Sequence, residues 1–114
     1  MGIELIDFGK TYELAHPSGA KFMMLHWTNA MQDEVDRACV INKGDNVFSY
    51  DISREREMKI DLSVKGWSGI TADGQEVPCT SENKKKLPVG VTLWLQKELE
   101  ERAGLRITQD EKKN

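Results

Sequence analysis

The sequence is short of the residues from which catalytic and metal sites are built. Among 114 residues there are two histidines, His16 and His26, and two cysteines, Cys39 and Cys79. A zinc site takes its ligands in local pairs a few residues apart, and these four are scattered. Two isolated thiols read as small, reduced core hydrophobes and not as a disulfide. Gly66, Gly69 and Gly74 stand too far apart for either phosphate-cradling loop. Apolar runs reach only about four residues, as in Phe22-Met23-Met24-Leu25, whereas a bilayer span needs roughly twenty. Positive charge is not in excess either. The net charge is −3 with a pI near 5.4, so nucleic acid is not an expected partner. Met1 to Lys10 lacks the basic and apolar regions of a secretory signal, and Ile6 stands where a myristoylation signal has Ser or Thr.

What is present fits one α+β domain over residues 1–109, an N-terminal β-hairpin followed by about three main helices. Hydrophobic residues make up 39% and charged residues 31%, enough apolar material for one modest core. Thr11 to Leu14 and Lys21 to Trp27 are β-compatible runs. Pro17 and Gly19 between them predict a hairpin connection. Ile3 to Phe8 is either a third strand or an arm. Thr28 reads as a helix N-cap, with Met31, Val35, Ala38 and Cys39 following at helical spacing. That helix should fade near Ile41, and Lys43 to Tyr50 reads as a loop. Ile70 to Pro78 is a small extended excursion around the Asp73-Gly74 turn. Thr80 caps a short helical turn over Ser81 to Lys86. Pro88 suits the first position of a last helix striped with Leu87, Val91, Trp94, Leu95 and Leu99. Glu98 and Arg102 are spaced for an i,i+4 ion pair, and Gly104 for a stop. Asp110 to Asn114 is a charged, disordered tail.

The segment from Ser53 to Lys65 has two readings. Ser53-Arg54-Glu55-Arg56-Glu57 is strong helix material that Asp51 or Ser53 can cap. Met58 to Lys65 then alternates as a strand does. Read as a helix, it sets Met58 and Leu62 on one side and Ile60, Val64 and Trp67 on nearly the opposite side. Such a helix is either sandwiched or offers an apolar stripe to a partner.

Residues that suggest chemistry have plainer explanations. Asp33-Glu34-Asp36 resembles a magnesium site, but a solvated face near a helix N-terminus accounts for it. Lys84-Lys85-Lys86 reads as solvent surface beside Glu82, and Glu55 and Glu57 cancel the field of Arg54 and Arg56. No catalytic residue, cofactor or metal is expected. Met23, Met24 and Met31 are adaptable side chains of the kind used on promiscuous surfaces. With Met58 and Leu62 they are the candidate protein-binding residues.

The run Val64-Lys65-Gly66-Trp67-Ser68-Gly69-Ile70-Thr71-Ala72-Asp73-Gly74-Gln75-Glu76-Val77-Pro78-Cys79-Thr80-Ser81-Glu82-Asn83 resembles the tail assembly chaperones of long-tailed bacteriophages. Members carry a helix ending in an apolar residue and Trp, a Gly-Val or Gly-Ile pair, an Asp-Gly turn, a Val-Pro, and a Thr or Ser with Glu-Asn opening the next helix. The likeness covers roughly 55–99 and decides the ambiguous segment for helix over 54–65. It implies a non-enzymatic protein of the host bacterial cytoplasm. Such a protein binds the tape-measure protein, helps recruit tail-tube protein, and associates with neither nucleic acid nor membrane; self-association is compatible with it. The alternative is a structural virion protein such as a head–tail joining or tail-terminator component.

Overall fold

The computed structural model describes residues 2–7 and 9–104; the expected tail over 110–114 lies outside the described residues. Strands β1 (Thr11–Ala15) and β2 (Lys21–Leu25) form the N-terminal hairpin, with Leu14 opposite Phe22. Gly19, at φ +99°, makes its tight turn, and the His16 N–H donates to the Ala20 carbonyl at 2.8 Å. Residues 2–7 form no strand. The third strand of the sheet is instead β5 (Val64–Ser68), antiparallel to β2, with a register shift between Met23 and Met24. Phe22 and Met24 point into the core and Met23 out of it, as the two-residue strand period requires.

Helix α1 (Asn29–Cys39) starts where expected, its Met31 N–H bonded to the Thr28 hydroxyl at 3.2 Å. It stops earlier than expected, and the predicted loop is a second hairpin. Strand β3 (Val40–Asn42) leaves the helix directly and pairs with β4 (Phe48–Tyr50). Asp45 and Asn46 take positive φ, and the Val47 N–H closes the turn on the Gly44 carbonyl at 2.7 Å. Two residues that tolerate the left-handed region, set between Val40-Ile41 and Val47-Phe48, were the unread signal of a hairpin.

Helix α2 (Ile52–Ser63) is capped by Asp51, whose carboxylate accepts from the Arg54 N–H at 3.0 Å. The 58–65 segment is therefore divided: helix through Ser63, strand from Val64. Tertiary packing explains the division. Ile60 and Val64 enter a core cluster with Leu14, Phe22, Met24 and Leu95, while Met58 and Leu62 pack on a second cluster of Trp27, Val35, Cys39 and Leu99. Both apolar sides of α2 thus pack on core clusters, with Met58 and Leu62 left half-buried.

Strands β6 (Thr71–Ala72) and β7 (Gln75–Glu76) make the expected small hairpin. Helix α3 (Ser81–Lys84) begins at the Thr80 cap, with the Asn83 N–H donating to the hydroxyl at 3.1 Å, and ends two residues sooner than predicted. Helix α4 (Val89–Arg102) has Pro88 at its cap position and not at its first turn. Arg102 lies over the Tyr12 ring, 5.0 Å from the centroid, and makes no ion pair with Glu98. No helix is long and apolar enough to cross a membrane among the described residues.

Candidate protein-binding groove

The five residues singled out from the sequence do not converge on one surface. Met24 is wholly buried in the first cluster. Met31, Met58 and Leu62 are half-buried against the second. Met23 is 41% exposed on the outer face of the sheet. Of the five, Met58 lines a groove of about 610 Å³ between α2, α3 and the start of α4.

The groove is built by the capping chemistry of the chain. Asp61, on α2, accepts from the Ser81 hydroxyl at 2.7 Å and from the Lys84 ammonium at 3.3 Å, which fixes α3 across α2. Lys84 also donates to the Asp61 carbonyl at 3.0 Å, satisfying an acceptor near the end of α2. Lys85 pairs with Glu57 at 3.2 Å. The lysine run is thus partly used as clamps from α3 to α2. The Ser81 hydrogen bond, then the Lys84 ammonium, hold the Asp61 carboxyl below its ordinary value despite burial that pushes it up.

With those ions tied, the groove offers an apolar floor and a basic rim. Met58, Ile60, Leu87 and Val89 line it, and Arg54 and Arg56 stand on its edge. Neither arginine has an ion-pair partner within 4.0 Å among the described residues. Pro88 supplies no side-chain cap to α4, and Leu87, Val89 and Thr92 at that end of the helix line the groove. The apolar surface continues onto α4, where Val89 and Leu93 are 64% and 49% exposed. They lie one turn apart on a common helix face.

The rest of the molecule shows how polar groups are consumed structurally. Lys59 is buried between Glu55, at 2.9 Å, and Glu100, at 3.4 Å, with Gln96 also donating to Glu100 at 3.1 Å. This ionic link from α2 to α4 was not foreseen; the i,i+4 spacing of Glu55 and Lys59 was its only trace. Burial pushes the thiols of both Cys39 and Cys79 up, the opposite of what a nucleophilic cysteine needs. Asp36 accepts from Gln32 at 2.9 Å and from the Tyr50 hydroxyl at 3.1 Å. Among the described residues, no three of His, Cys, Asp and Glu group as a metal site would require. A second hollow of about 360 Å³ lies between Tyr12, His26, Trp27 and the end of α4. Comparison of the chain with protein-family models, curated proteins and solved structures gives no match.

Proposed function

We propose that this chain is a non-enzymatic tail assembly chaperone of a long-tailed bacteriophage, acting in the host cytoplasm. In this reading it takes an amphipathic helix of the tape-measure protein into the α2–α3–α4 groove and helps bring tail-tube protein to it. The observation that carries the binding mode is the exposed Val89–Leu93 face continuous with an apolar, basic-rimmed groove. Apolar residues one turn apart are what helix-in-groove recognition uses. Arg54, Arg56 and the uncapped start of α4 favour a partner helix with acidic flanks. The resemblance over 55–99 supplies the phage assignment. The binding surface differs in part from that expected from the sequence: α2 forms one wall of the groove, with Met58 on it, while Val89 and Leu93 of α4 supply the exposed apolar face.

The test is co-expression with the tape-measure protein of the same phage. The wild-type chain should co-purify with it at low and high salt, because apolar burial dominates the affinity. Val89→Asp combined with Leu93→Asp should lower recovery at least about tenfold, since each truncation at a buried hot spot costs roughly 1–2 kcal/mol. Both sites are exposed, so circular dichroism should show an intact fold. If the wild type does not co-purify and the protein is found in finished virions, the structural-component reading replaces this one.

A further inference from the structure

The β3–β4 ribbon is one of two isolated two-stranded ribbons in the fold, and the longer of them. It joins neither other sheet and packs only lightly on the remaining elements. A two-stranded ribbon by itself is marginal in water. Its register shows which groups are open. The Asp51 N–H donates to the Cys39 carbonyl at 2.8 Å, the Lys43 N–H donates to the Val47 carbonyl at 2.7 Å, and Ile41 lies opposite Ser49. Antiparallel ladders alternate bonded and non-bonded pairs, so Ile41 and Ser49 form the bonded pair between those two. The backbone N–H and C=O groups of Phe48 and Tyr50 therefore point away from β3, along the outer edge of β4.

That edge is only three residues long, but two other common blocks to strand addition, charge and proline, are missing from it. Phe48, Ser49 and Tyr50 include no charge and no proline. Around it Val40, Ile41, Val47, Phe48 and Ile52 are exposed, Phe48 by 59%. Val40 and Phe48 lie on one face of the ribbon and Ile41 and Val47 on the other, so apolar side chains are open on both sides of the edge.

We propose that this edge is closed by a second copy of the chain, β4 against β4, antiparallel about a two-fold axis at Ser49. The edge is complementary to itself in three respects. An axis at Ser49 sets Phe48 opposite the partner's Tyr50, and both residues direct N–H and C=O outward, so each such pair exchanges its two hydrogen bonds. The same pairing places an aromatic ring opposite an aromatic ring, a favourable cross-strand combination. No like charges meet. The two ribbons become one four-stranded sheet, which removes both β4 edges and covers the exposed Phe48.

Residue 49 alone would face its own copy across the axis, and this gives a charge-exchange test. By light scattering with size exclusion, the wild-type chain at up to about 200 μM should move toward twice its 13.0 kDa mass. Ser49→Asp and Ser49→Lys, each alone, should return it to the single-chain mass, with at least about tenfold weaker association, because like charges then sit directly opposite. Mixing the two variants one to one should restore the doubled mass. Circular dichroism of each variant checks that the fold is kept. A wild-type chain that stays single overturns the proposal. So does a dimer that both variants leave intact, or variants that stay apart when mixed; those outcomes place any contact elsewhere or away from a two-fold axis.

Discussion

Trp67 illustrates how a single residue can be structural without being deeply buried. It lies on β5 opposite Phe22, the rings edge to face at 6.4 Å, and its indole N–H donates to the Val77 carbonyl at 2.8 Å. The ring is half-buried, because it closes the edge of the first cluster and also ties β5 to the segment after β7. Its neighbour Gly69, at φ +77°, lets the chain turn back over Ala20, whose Cα would stand 3.1 Å from any added Cβ. Two variants separate the ring's packing from its hydrogen bond. Trp67→Ala should cost about 3 kcal/mol, the low end for emptying a large aromatic site. Trp67→Phe should cost about 1 kcal/mol, for the lost hydrogen bond. Urea denaturation measures both; equal losses would mean that the indole N–H, not the ring, holds this corner.

Among the elements, the junction of α2 with α3 is the one whose strength depends on acidity. Asp61 joins them through Ser81 and Lys84, and its carboxyl is held below the ordinary value of 3.8. A carboxyl depressed by folding contributes stability above its unfolded value, and that contribution fades as pH falls through the folded value. Asp61→Asn should therefore cost about 1 kcal/mol near neutral pH, a figure reduced for the partial exposure of the carboxylate. The difference from wild type should close below about pH 4. Thermal melts of the two proteins across that range decide it; a gap that persists in acid would show that the asparagine perturbs packing and not charge.

For the whole molecule, the two core clusters share their helices. Helix α2 gives Ile60 to one cluster and Met58 and Leu62 to the other, and α4 gives Leu95 to the first and Leu99 to the second. The buried Glu55–Lys59–Glu100 link adds an ionic tie between the same helices. Neither cluster can open without disturbing the elements that hold the other. Leu95→Ala and Leu99→Ala should each cost about 2–5 kcal/mol, and each variant should still unfold in a single transition by tryptophan fluorescence and circular dichroism. Two separated transitions in either variant would mean that the clusters unfold independently.

Local rules determined what local physics controls. Capping hydroxyls at Thr28 and Thr80, the Pro17–Gly19 and Asp73-Gly74 turns, and the stripe from Leu87 to Leu99 were legible because each depends on residues within a turn or two. The sequence by itself also set the fold class, the N-terminal hairpin and the lack of a long apolar span. Only the tertiary structure decided where α2 gives way to β5, since the alternation from Met58 to Lys65 suits either element and two separate clusters had to claim its two sides. It likewise decided that β5, and not the first residues, completes the sheet, and that Met24 is core while Val89 and Leu93 stay outside. An apolar side chain's burial depends on which distant surface arrives to cover it, and no spacing along the chain encodes that arrival.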